Sequence, residues 1–343
     1  MGEAIHLALN NQLPTPEVDD EKSISGQLDK WLSHRQRLGK LKAKNPEKHK
    51  DFPSLATYGQ NEAHSKTIKD YVASEDVADN IEAISSAYVA DFRDFLIDKV
   101  EDEELVPKSA LNILSTFSLF VDWMALEREL IPRPNLMSKR GWKKLSFDPQ
   151  PYPMTVATFR AVYEKADELA RLYILLMANC GYTNKDISDI TPQQVNWTKG
   201  RIKRKRSRAI GYSNAPIVDR PLWPETFKLL KKFGKKDGER VLTSETGAAL
   251  VTAGRKDLVA EKVKDAIVEA GFKSGPHYRP KDIRSGCATL IDASKRHDGW
   301  ETYFLGQSPT SVADRHYVGE NGDKQEQFDE VTMWLRTQWL KDV

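Results

Sequence analysis

The stretch SALNILSTFSLFVDWMALEREL, residues 109–130, sets Leu111, Leu114, Phe117, Val121 and Met124 three or four positions apart. That spacing places all five on one face of an α-helix, and such a stripe needs partner helices to cover it. Upstream, DNIEAISSAYVADFRDFLIDKV repeats the pattern with Ile81, Ile84, Val89, Phe92 and Phe95. Two stripes in succession argue against a strand-rich domain and predict a small helical bundle over residues 61–146. IPRPN at 131–135 ends the run, because proline cannot continue a helix. FDPQPYPMT at 147–155 is stiffened by proline, and the domain boundary belongs there.

Ahead of the bundle, residues 1–60 are polar, with eight Lys or Arg and one acid between Lys30 and Lys50. They are expected to form a solvated helix or a basic arm for phosphates. Behind the linker, residues 154–343 are mixed. TVATFRAVYEKADELARLYILLMANCG gives one or two helices stopped by Gly181. TNKD then opens a short helix with Thr183 as its cap and Asp186 three residues on. GRIKRKRSRAIGYSNAPIV has the β-like flanks and polar tip of a hairpin, with Ile202 and Ile217 in its strands. RVLTSETGAAL is expected as a short strand and turn. Further helices are expected around Asp282–Asp292 and Trp300–Leu305, and a last amphipathic one over Phe328–Leu340. The fold class is therefore mainly α with a small antiparallel β-sheet.

Composition limits the function. The chain has 343 residues, enough for two or three domains, and 52 basic against 50 acidic residues. A nucleic-acid footprint must then be local. The segment Lys199–Arg208 supplies one, with seven basic residues and no acid. Lys203, Arg204, Lys205 and Arg206 are the expected phosphate contacts of a β-ribbon on DNA. The two cysteines, Cys180 and Cys287, sit in apolar runs without metal-ligand spacing. No stretch approaches the ~20 apolar residues that span a bilayer. A cytoplasmic protein without metal, cofactor or membrane partner is expected.

Near the C-terminus, KDIRSGCATLID carries Lys281 and Arg284 one helical turn apart, at the basic end of a buried helix. YFLGQSPTSVADRHYV follows, with Tyr317 ten residues after Gln307. This order of pieces, from about Ala63 onward, resembles the tyrosine recombinase (phage integrase) family. The resemblance implies a helical, SAM-like core-binding domain, an α+β catalytic domain and double-stranded DNA as partner. It also implies a tyrosine that attacks the scissile phosphate, without metal, and a C-terminal helix donated between protomers of a DNA-bound tetramer. KDIR matches the family's His/Lys-x-x-Arg box, with Lys281 as acid/base and Arg284 as phosphate clamp. ADRHYV nominates Tyr317 as nucleophile. FLGQS matches the Leu-Gly-His turn with Gln307 in place of His. RKRSRA matches the hairpin-lysine region with Arg208 aligned at the lysine and Lys205 nearby. CGYTNKDISDI matches the box of the first arginine, but Thr183 stands where that arginine would be. Losing one preorganised phosphate donor costs ~10²–10³ in rate. The implied function is site-specific recombination or integration on nucleoid or mobile-element DNA, at reduced or rewired activity. The alternatives are a catalytically silent DNA-binding regulator or architectural factor on the same fold, and an unrelated helical interaction protein. Lys185, Arg204, Arg206 and Arg208 are candidates to replace the missing cation. His297 and His316 are expected at the surface or an edge.

Overall fold

In the computed structural model, the described residues are 21–134, 152–212, 214–252, 256–273, 278–308 and 322–341. The chain divides into two compact units that separate at Pro149/Gln150, with residues 46–50 grouped with the second.

The described part of the first unit is helical: α1 Ile24–Lys44, α2 Leu55–Val72, α3 Ser86–Glu101 and α4 Pro107–Asp122. Three starts are fixed by serine, Ser23, Ser54 and Ser85, each accepting a backbone N–H of the first turn. α4 has Pro107 in its first turn instead, where a missing N–H costs nothing. The expected stripes close the core: Phe92, Leu114, Phe117, Val121 and Met124 are fully buried. One expectation fails here. Residues 24–44 are not a separate arm, because Ile24, Leu28 and Trp31 are buried in this same core. The helical period turns Lys30, Arg37, Lys40 and Lys44 outward from that apolar stripe. A second expectation also needs correction. Pro107–Glu127 is long and apolar enough to cross a membrane by composition, but half of it is buried here as a core helix.

The second unit holds α5 Val156–Lys165, α6 Glu168–Cys180, α7 Asn184–Ser188, α8 Pro224–Phe233, α9 Leu258–Glu269, α10 Pro280–Asp292, α11 Glu301–Phe304 and α12 Gly322–Trp339. Three short strands form an antiparallel sheet in the order β1 Val195–Asn196, β2 Arg201–Arg204, β3 Val218–Pro221. Ile202 lies opposite Arg220, and Arg204 opposite Val218. Mainly α with a small antiparallel sheet is therefore the observed class. Ile217 falls just ahead of β3 and is exposed. Residues 240–250 form no strand; the adjoining Val251 makes only an isolated bridge to Asp257.

α6 is buried on nearly every side, which its apolar run Leu172–Met177 requires. α12 seals the unit: Phe328, Val331, Leu335 and Trp339 are all buried in the same core. Arg336 pairs with Glu225 of α8, and Arg160 of α5 donates to the carbonyls of Gln338 and Trp339 at 3.1 Å. The expected docking of these four apolar residues into a groove is therefore met within the chain's own unit. The face is already covered within its own unit.

Gly286 lets α10 approach α12. A Cβ there would stand 3.0 Å from Trp339 and closer still to the Met154 carbonyl. Gly286→Ala is expected to lower the unfolding free energy by roughly 1–3 kcal/mol, an overpacking cost that denaturant titration measures.

Candidate active site

Arg284 stands in the second turn of α10, with its guanidinium held by two carbonyls. Its Nε donates to the Gly181 oxygen, and a terminal nitrogen donates to the Leu305 oxygen at 2.9 Å. Both carbonyls are aimed by left-handed glycines. Gly181 ends α6 at φ +61°, and Gly306 follows Leu305 at φ +61°. Each glycine is also required by contact. A Cβ on Gly181 would stand 2.9 Å from Phe304, and one on Gly306 2.9 Å from Cγ of Arg206. Burial, and next the charge of Arg206, bring the Arg284 guanidinium down to about 10; Asp186 opposes this, and Arg220 and Arg208 add to it.

The carboxylate at the centre of this cluster is Asp186, 1% exposed. Its Oδ2 accepts the Thr183 hydroxyl at 2.6 Å and the Thr183 N–H at 3.0 Å. Its Oδ1 accepts the Ser207 N–H at 2.7 Å. Arg204 approaches Oδ1 and Arg206 approaches Oδ2, each at 3.9 Å. Burial pushes this carboxyl up, but the three hydrogen bonds and the Arg204 charge outweigh it and hold the group below the usual carboxylate range. Thr183 accepts the Asp186 N–H in return, closing the capping box of α7.

Two arginines of the sheet face inward. Strand side chains alternate, so Arg204 shares the core-facing side with Ile202, and Arg220 with Val218. Arg204 is 3% exposed and Arg220 1%. Their guanidiniums lie 5.5 Å and 5.0 Å from the ring of the buried Tyr182. Arg204 donates to the Asp186 carbonyl, to the Lys205 carbonyl at 3.0 Å and to Ser207 Oγ at 2.7 Å. Arg220 donates to the Phe304 carbonyl at 3.0 Å.

These placements correct the reading of the hairpin as an open basic ribbon. Arg204 and Arg206 are buried beside Asp186, because the period of the strand turns Arg204 inward and Gly306 leaves room for Arg206. Arg201 is also engaged within the unit, with Asp219 at 2.9 Å and Asp329 of α12 at 2.6 Å. Lys203 and Arg208 are exposed; Lys205 is half-buried and donates to the Tyr212 carbonyl at 3.0 Å. Lys281 is exposed on the turn before Arg284. Gln307 is exposed beside Gly306, its N–H on the Thr302 carbonyl at 3.0 Å. Lys185 pairs with Asp189 at 2.7 Å. Tyr317 and His316 lie outside the described residues. His297 is not a surface residue: it is 4% exposed and its ring packs on Trp334. Both cysteines are buried, which pushes their thiols up to about 12, so neither supplies a thiolate near neutral pH.

Sequence reasoning missed Arg220 and the central role of Asp186. The signal for Arg220 was present: Val218 and Arg220 are two apart in a strand whose apolar member must face the core.

The sequence matches no family model and no curated protein. Solved structures do match. Lambda integrase residues 75–356, as a dimer bound to a COC′ core site, aligns with a TM-score of 0.59 at 16% identity, covering 84% of this chain and 96% of that one. The same lambda integrase segment bound to DNA gives 0.56 at 18% identity, covering 87% and 98%. The Tn1549 transposon integrase (residues 82–397) in complex with circular intermediate DNA gives 0.53 at 10% identity, covering 90% and 99%. The chain has the tyrosine recombinase fold. Within this recombinase fold, the cluster around Arg284 joins the pieces that KDIR, FLGQS and CGYTNKD set far apart in the sequence.

Thr183 lies in the wall of that cluster as a helix cap. Thr183→Arg, which places an arginine in the turn, removes the cap and the hydroxyl's bond to Asp186, while the backbone N–H keeps its own. It is expected to lower stability by about 1–2 kcal/mol in denaturant titration, with no gain in function, because arginines already crowd the carboxylate.

Proposed function

We propose that this protein cleaves and rejoins double-stranded DNA through a phosphotyrosyl intermediate, as an integrase or recombinase of nucleoid or mobile-element DNA in the cytoplasm. The observation that carries this is the cluster of buried arginines around one carboxylate, with Arg284 fixed between two backbone carbonyls. Arg204 and Arg206 face Asp186, Arg220 and Arg284 add two more positive charges to the cluster, and a phosphate diester is an anion that such an excess recognises. In the proposed reaction the Tyr317 oxygen attacks phosphorus. Tyrosine loses its phenolic proton as its oxygen bonds to phosphorus and the bond to the 5′ oxygen breaks, and that oxygen takes up a proton and departs as a hydroxyl. Lys281, one turn from Arg284, and Lys205 on the hairpin are the proton-carrying groups; Arg208 serves as a charge. Gln307 donates a hydrogen bond to the phosphate. Rejoining reverses each step, so neither metal nor cofactor enters the balance. A tetramer on DNA, joined through the C-terminal helix, is part of this reading.

The second reading, a silent DNA-binding regulator, is favoured by Thr183, which carries no charge where the family resemblance places an arginine. The two are separated by a nicked duplex selected by the protein from a random-sequence pool. The recombinase reading expects a covalent protein–DNA band with wild type and none with Tyr317→Phe. A band that persists in Tyr317→Phe overturns the nucleophile, and no band with wild type favours the regulator. Neutralising Lys203 together with Lys205 is expected to weaken DNA binding and to reduce the slope of log affinity against log salt by about 2. Gel-shift titrations across a salt series read both effects.

A further inference from the structure

We propose that Arg206 supplies the second phosphate-binding guanidinium of this site, taking the place that Thr183 leaves uncharged. The inference rests on the strand-cleavage reading and names the residue that makes the site workable.

The juxtaposition is atomic. Thr183 and Arg206 approach the same oxygen, Oδ2 of Asp186: Thr183 from its hydroxyl at 2.6 Å and its N–H at 3.0 Å, Arg206 from Nε at 3.9 Å. The next residue, Ser207, is tied to the other carboxylate oxygen at 2.7 Å, which anchors the chain where Arg206 leaves the sheet. On its other side Arg206 lies against Gly306, and the neighbouring Leu305 carbonyl holds Arg284. Arg206 thus bridges the Thr183 turn and the clamp around Arg284.

Its hydrogen bonding distinguishes it from its neighbours. Arg204 has three acceptors, and Arg284 has two carbonyls. Arg220 leaves Nε unpaired, but both its terminal nitrogens face carbonyls, Phe304 at 3.0 Å and Val218 at 3.4 Å, and it stacks on Tyr182. Arg206 is 6% exposed, its Nε has no acceptor within hydrogen-bond reach, and its nearest carboxylate is at ion-pair distance only. A buried guanidinium with an unmatched donor is costly unless an anion completes it. Burial, opposed by Asp186 and reinforced by Arg208 and Arg220, lowers its proton affinity, as expected for a cation short of counter-charge. A tetrahedral phosphate held by Arg284 and Arg206 matches the planar forks of both.

The test titrates inorganic phosphate into the full chain by calorimetry. Wild type is expected to bind, and Arg206→Ala and Arg284→Ala each to weaken binding at least tenfold. Arg206→Lys retains the buried charge but not the fork, and should weaken binding by a smaller factor. Melting transitions of Arg206→Ala and Arg206→Lys, both expected to stay cooperative and close to wild type, separate a loss of binding from unfolding. Phosphate affinity within twofold of wild type in Arg206→Ala, or no binding by wild type, overturns the proposal. Capture of the selected nicked duplex separates it from the parent reading. If Arg206→Ala forms the covalent adduct at the wild-type rate, the Arg206 assignment falls and strand cleavage stands. If wild type forms no adduct while phosphate binding requires Arg206, strand cleavage falls and the anion site stands.

Discussion

Replacing Asp186 by alanine is expected to destabilise the second unit by ~3–5 kcal/mol, the usual cost of removing one partner from a buried ionic group. The carboxylate is 1% exposed and answers Thr183, Ser207, Arg204 and Arg206 together. Without it, two buried guanidiniums lose their shared counter-charge and α7 loses its capping box. Urea titration reads the effect directly, and an unchanged midpoint would refute it. The same group gives a pH signature. Its folded-state proton affinity is depressed, so its contribution is fully present above the unfolded carboxylate value of ~3.9 and is lost as pH falls through the lower folded value. Wild type is therefore expected to lose stability below about pH 4, and Asp186→Asn, which never ionises, to lose that part of the acid slope.

Arg284→Ala is expected to lower the rate of covalent DNA capture by at least ~10²–10³, the typical cost of one preorganised oxyanion donor. Arg284→Lys should rescue little. A lysine ammonium is a point charge that does not reproduce a fork resting on two carbonyls, Gly181 and Leu305. The cation must stay protonated to hold a phosphate. Its folded value lies at about 10, so phosphate binding is expected to fall as pH rises through that value, well before an ordinary arginine would respond. Single-turnover capture and phosphate calorimetry across pH check the two statements. Wild-type capture by Arg284→Ala would remove the clamp from the mechanism.

The sequence by itself determined the helical stripes and the stop at Gly181. These follow from local rules: Leu114, Phe117 and Val121 need only the helical period, Thr183 only the chemistry of helix starts, and Gly181 only a left-handed residue. The KDIR box was legible for the same reason, since three positions on a helix fix where Arg284 points. Tertiary structure decided which of the many arginines form the site. Seven basic residues between Lys199 and Arg208 read alike in a sequence, and only the register of β2 against β3 separates the inward Arg204 from the outward Lys203. Arg220 joined the cluster through that register as well: its alternation with Val218 points it inward, but only the register sets it beside Arg204. The fate of residues 24–44 was likewise a question of burial: Ile24, Leu28 and Trp31 found a core that no local count of lysines reveals. Asp186 marks the difference most sharply. Its spacing from Thr183 identifies a helix cap, while its role as counter-charge to several arginines exists only because a strand, a turn and a helix distant in sequence close around one buried carboxylate, where low dielectric makes every missing partner expensive.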